Sequence, residues 1–122
     1  MNNSFNQDSY HQAEMMKLIV DALLLSSKIC EGITINKNIC NNKLHMTISN
    51  IIESLKVMSN TCTTLNLDYI SKYFSPLFQE TNQFDFDIEN QVWGLLKDLF
   101  RDPNKAKDIN SKLKVIFEKM NR

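Results

Sequence analysis

The chain has 122 residues, of which 43% are hydrophobic and 23% charged, and its 14 basic side chains balance 14 acidic ones to a formal net charge of zero. That length fits one ordinary domain burying roughly two-thirds of its unfolded surface, and the composition excludes wholesale disorder, collagen and coiled-coil rods. No global field draws the protein to nucleic acid or an anionic membrane, so any such attraction has to come from a local patch.

Residues 1–7, polar and asparagine-rich around a lone Phe5, read as a flexible N-terminus ahead of a helical bundle domain over 8–122. Asp8 or Ser9 caps a first helix that runs to about Glu31. Met15, Leu18, Ile19, Ala22, Leu23, Leu25, Ile29 and Cys30 fall on one broad face, widened by Val20 and Leu24, while Glu14, Lys17, Asp21 and Lys28 take the other. So wide a stripe predicts the most buried helix of the domain. Gly32 supplies a left-handed stop, and residues 33–42 form a connector.

Asn41 or Asn42 then caps a second helix, in which Leu44, Ile48, Ile51, Ile52, Leu55, Met58 and Cys62 recur at spacings of three and four. Beyond a threonine-rich turn at 61–65, Asn66 caps a short third helix carrying Leu67, Ile70, Tyr73 and Phe74. Ser75-Pro76 breaks it, because proline lacks the amide donor and suits a first turn, and a kink or brief fresh helix reaches Gln79.

The acidic stretch 80–89 interleaves Phe84 and Phe86, and Asp85 or Asp87 caps a fourth helix. Its stripe of Ile88, Val92, Leu95, Leu96 and Leu99 is flanked by Trp93 and Phe100. Gly94 inside it costs about 1 kcal/mol relative to alanine, which a close helix crossing would explain. Asp102-Pro103 ends this helix and starts the last, with Ile109, Leu113, Ile116, Phe117 and Met120 on its apolar face. No period-two alternation, repeat or linker intervenes, so the pattern predicts an all-α, compact antiparallel bundle of about five helices.

The chemistry-bearing residues are sparse. Two separated glycines, Gly32 and Gly94, exclude phosphate-cradling loops and dinucleotide fingerprints, which need clustered glycines. Cys30, Cys40 and Cys62 are odd in number and form no CxxC pair, which argues against a disulfide framework or a zinc ribbon and for reduced thiols in a cytoplasmic protein. His11 with Glu14 lacks the second pair and further glutamates of a di-metal bundle, and Cys40 with His45 lacks both tight ligand spacing and an orienting third group. Asp85, Asp87 and Glu89 alternate like calcium-loop ligands, yet Asn90 and Leu96 stand where the turn glycine and closing carboxylate belong. No catalytic residue, metal ligand or cofactor is therefore assigned.

The apolar run 18–25 contains Asp21 and is too short to cross a bilayer, and residues 1–16 lack the cation of a signal peptide; export by another route stays open. Abundant asparagine, isoleucine and lysine point to an AT-rich genome.

Two surface features remain. Nine of the 11 aromatic residues lie beyond residue 68. Tyr69, Tyr73, Trp93 and Phe100 exceed what one narrow stripe hides, and Phe84 and Phe86 sit among acids. These six residues predict a partner-binding aromatic surface in a non-catalytic module of adaptor, inhibitor, immunity or chaperone type, engaging a protein or a second copy of the chain. The alternative is a weak nucleic-acid or anionic-surface binder using Lys105, Lys112 and Lys119 of the basic last helix; a small helical enzyme is the third reading.

Overall fold

The stripes read from the sequence require helices that pair along their apolar faces, and the computed structural model of the chain is built that way. It describes residues 3–38, 42–61, 66–79 and 83–121, with side chains from Tyr10 onward. Five helices follow in order: α1 (Asn3–Lys37), α2 (Lys43–Thr61), α3 (Leu67–Phe74), α4 (Asp87–Arg101) and α5 (Ala106–Met120). Short 3-10 turns at Ser75–Phe78 and Pro103–Lys105 follow α3 and precede α5, each with proline in its first turn. Among the described residues there is no strand.

Most helix boundaries follow from local chemistry. Asn42 Oδ1 accepts the His45 backbone N–H at 3.0 Å to cap α2, Asn66 Oδ1 accepts that of Tyr69 at 2.7 Å to cap α3, and Asp102 accepts that of Asn104 at 3.2 Å. Three boundaries differ from the expectation. Helix α1 begins at Asn3, so Asp8 and Ser9 lie within it, and it passes through Gly32 to Lys37. Its left-handed stop is Asn38, at φ 54°, a conformation that asparagine tolerates better than most residues.

The glycine that marks a close approach is Gly32, where an added Cβ would stand 2.8 Å from Met120 Cε; at Gly94 an added Cβ would meet nothing. The crossing expected at Gly94 is therefore absent. At the start of α4 neither Asp85 nor Asp87 caps; Phe86 occupies the cap position without a side-chain bond. Asn90 does the work one turn later, accepting the Phe84 N–H at 3.0 Å and donating to the Phe84 and Phe86 carbonyls at 3.0 and 3.1 Å. Glu89 also reaches back to the Phe86 backbone, half of a capping box.

Helix α1 is the spine, and every other helix packs on it. Ile19, Ala22, Leu23, Ile29 and Cys30 are wholly buried there, as are Leu44, Ile48 and Ile51 on α2 and Leu96, Leu99 and Phe100 on α4. Each such aliphatic or aromatic side chain contributes about 1.5–3 kcal/mol of transfer free energy. Asn110 of α5 donates to the Leu18 carbonyl at 2.9 Å, and Met120 of α5 meets Gly32, so α5 runs in the same sense as α1. Five helices that reverse at each connection demand that arrangement.

Candidate interaction surface

Seven of the nine aromatic residues beyond residue 68 form one chain of rings from surface through core. Tyr69 stacks on Tyr73 at 5.9 Å between centroids, Tyr73 meets Phe74 edge-on at 4.9 Å, and Phe74 lies 5.6 Å from Phe100. Phe100 stacks on Phe78 at 5.3 Å, Phe78 lies 4.8 Å from Trp93, and Trp93 lies 5.2 Å from Phe84. Ring pairs at these spacings add about 0.5–1.5 kcal/mol beyond their buried area.

The chain divides the six predicted surface residues. Tyr69 and Tyr73 are 49% and 53% exposed, whereas Trp93 is 6% exposed and Phe100 not at all. The expectation that Trp93 and Phe100 stand outside is thus corrected. Helix α3 and its 3-10 turn fold across α4, so that Phe74 and Phe78 cover the flank of α4 that the sequence left bare, and the Ser71 hydroxyl donates to the Phe100 carbonyl to hold them there. Phe84 and Phe86 are half-buried, Phe84 against Trp93 and Phe86 beneath the Lys37 ammonium at 5.8 Å.

What stays outside is a stripe along α3 and its extension, Tyr69, Tyr73 and Leu77, the last 47% exposed. The i, i+4 spacing puts Tyr69 and Tyr73 on one face of α3, and Leu77 follows on the 3-10 turn. Neither tyrosine hydroxyl has a partner among the described residues, so both are open to an incoming acceptor. Asp68 and Lys72 flank the stripe with opposite charges. Leu77 was missed in the sequence because the helix changes to a 3-10 turn at Ser75-Pro76, where four-residue spacing no longer tells which side chains face outward.

The titratable groups do not converge. His45 Nε2 lies 3.2 Å from the Ser27 hydroxyl. His11 is exposed sixteen residues earlier than Ser27 on α1, a separation of roughly 24 Å along the helix axis. Burial, and then the charges of Glu89 and Glu31, push the Cys30 thiol up to about 12, so it does not supply a thiolate nucleophile. Glu89 is buried while Asp85 and Asp87 face solvent, and burial raises its carboxyl above the ordinary range against the pull of the Phe86 amide. Among the described residues no three His, Cys, Asp or Glu side chains gather at a metal-sized point. Cys40 and Cys62 lie outside the described residues.

The lysines of the basic last helix separate as well. Lys112 and Lys119 line a trough of about 610 Å³ between α4 and α5, whereas Lys105 sits on the 3-10 turn and is not part of it. Lys107 and Lys114 border a different groove, opposite Asp21. No described helix is long and apolar enough to cross a membrane. Comparison of the chain with protein-family models, curated proteins and solved structures returns no match, so its all-α bundle and the surfaces described above are what bear on its role.

Proposed function

We propose that the protein is a non-catalytic helical interaction module that binds a protein partner through Tyr69, Tyr73 and Leu77. The observation that carries this reading is the exposure of two stacked tyrosines on one face of α3 and of a leucine on the 3-10 turn that extends it, with buried rings directly behind the tyrosines. Large apolar side chains held in place before the partner arrives cost little ordering entropy on binding, and tyrosines so placed are common energetic anchors, each worth 2 kcal/mol or more on truncation. Phe74, Phe78, Trp93 and Phe100 serve the site from inside by fixing the path of α3 and its extension. The dispersal of His11, His45 and Cys30 favours binding over catalysis. Among the described residues 66–79 Lys72 is the one cation and Asp68 offsets it, so the segment itself brings no net positive charge with which to follow a phosphate backbone.

Affinity capture from the native host, followed by calorimetry with the purified partner, tests the reading. Tyr69→Ala/Tyr73→Ala still folds, with parental helix content and a melting temperature only modestly lowered by the loss of two ring pairs, and weakens binding by at least about thirtyfold, the equivalent of one 2 kcal/mol anchor. The reading fails if the partner binds the double variant as tightly as the parent. Sedimentation equilibrium adds one distinction: a dimer that Tyr73→Ala dissociates makes the partner a second copy of this chain.

A further inference from the structure

The trough between α4 and α5 is a second surface, separate from the tyrosine stripe, and its lining has a definite chemistry. Lys97 and Arg101 of α4 and Lys112 and Lys119 of α5 stand around it against the single carboxylate of Asp98, in a chain whose overall charge is zero. Lys112 is partly neutralised by Asp108 at 3.2 Å, whereas Lys97, Arg101 and Lys119 enter no ion pair among the described residues. The apolar part of the lining is Leu95, Val115 and Ile116, with Val115 50% exposed.

Gly94 leaves part of the trough's floor bare. It sits in the middle of α4 at a cost of about 1 kcal/mol in helix propensity, and no neighbouring helix approaches it. The missing side chain therefore serves no packing need within the described molecule; it leaves an open floor where an incoming group can come down onto the α4 backbone.

From Asn90 to Arg101 the α4 wall extends roughly 16 Å, the length of about five extended residues or three helical turns. Helices α4 and α5 are antiparallel, since Phe86 at the start of α4 lies beneath Lys37 and Met120 at the end of α5 meets Gly32, both toward the C-terminal end of α1. Arg101 and Lys119 thus mark opposite ends, with the apolar floor between.

We infer that this trough docks an acidic amphipathic segment of a partner protein, with an aliphatic side chain seated over Gly94 among Leu95, Val115 and Ile116 and carboxylates meeting Arg101 and Lys119 at the two ends. Charge complementarity selects the occupant's sign, and the apolar floor selects an amphipathic chain over a simple polyanion. A nucleic acid fits less well, because no lining residue is aromatic and unpaired bases would find no ring to stack on.

The test is a nitrogen-15 NMR titration with a capped synthetic decapeptide of alternating Glu-Glu and Leu-Leu pairs, beside a glutamate-only decapeptide and a single-stranded oligodeoxyadenylate. The acidic amphipathic peptide shifts the amides of Gly94, Leu95, Val115 and Ile116 and binds at least about tenfold more weakly when salt rises from roughly 20 to 200 mM. Gly94→Leu fills the floor without touching a charge and abolishes these shifts while melting no lower than the parent; Arg101→Glu/Lys119→Glu abolishes them as well. Tyr73→Ala leaves them unchanged, so the outcome does not depend on the α3 stripe. The inference is overturned if millimolar peptide leaves the trough amides unmoved, if the glutamate-only peptide binds equally, if the oligonucleotide binds there more tightly, or if Gly94→Leu binds like the parent.

Discussion

The hairpin of α1 and α2 and the corner of α3 and α4 bury their apolar stripes with different side chains. On α2, Leu44, Ile48, Ile51 and Leu55 lie principally against α1, and Met46 and Val57 remain in water. In the corner, Phe74, Phe78, Trp93 and Phe100 touch one another in sequence, and the α4 they surround also packs on α1 and α5. An aliphatic ridge against a single neighbour makes a seam that can open locally. Interlocked rings fix several elements at once, and their size pushes the outermost, Tyr69 and Tyr73, to the surface. The comparison teaches that the proposed binding stripe stands on the more interlocked of the two regions.

The largest effect should follow from Phe100→Ala. It removes the ring shared by Phe74 and Phe78, at a cost of about 3–5 kcal/mol and thus much of the stability of an ordinary domain. Denaturant unfolding measures this, and a loss below about 1 kcal/mol would show that the rings are not the keystone of the corner. Ile48→Ala in α2 comes next, at about 2–3 kcal/mol, and amide exchange gives the sharper readout. Exchange accelerates in α2 while α4 stays protected; equal acceleration everywhere would abolish the distinction between the two regions.

Two glycine variants give smaller effects. Gly94→Ala stabilises by about 1 kcal/mol, a melting-temperature rise of roughly 3–5 °C, because the new methyl meets open space on a helix. Gly32→Ala gains less, since Met120 Cε has to swing away. Calorimetric scans that rank the two in the reverse order would contradict the packing at both.

Glu89 changes only the shape of the pH profile. Burial raises its folded carboxyl above the ordinary value of 4.5, so the folded state keeps its proton at a pH where the unfolded chain has lost it. Stability therefore falls as pH rises from about 4.5 through the folded value, and Glu89→Gln flattens that decline while preserving the reach to Phe86. A decline that survives the substitution would place its source elsewhere.

The all-α architecture and the apolar stripes were legible in the sequence because helical periodicity is a local signal, and α2 is its clearest case. Asn42, Asn66 and Asp102 were legible as caps for the same reason. The ends of α1 were not: Gly32 looks like a stop by propensity alone, but Ile33 is still buried in the domain, and that contact carries the helix onward to Asn38. Asp85 and Asp87 offered plausible caps, yet the bonds come from Asn90, four residues beyond Phe86, where a capping rule does not look.

The candidate surface was half legible. Which rings α3 hides depends on how it folds across α4, a tertiary event that no window of sequence contains, so Tyr69 and Tyr73 could not be separated from Trp93 and Phe100. Lys112 and Lys119 were visible on the last helix, but their meeting with Lys97 and Arg101 required the turn at Asp102-Pro103 to bring two helices together.

Asn110 adds a constraint on how this chain can change. Its amide joins Leu18 of α1 to Ala106 of its own helix, a peg at the border between the buried seam and the charged groove beside it. Sliding α5 by one helical repeat, about 5.4 Å, would pull the peg from its socket and cost the half-buried amide its bond to Leu18, leaving only the one within its own helix. Insertions or deletions that displace the last helix therefore lose about 1 kcal/mol unless they restore that joint.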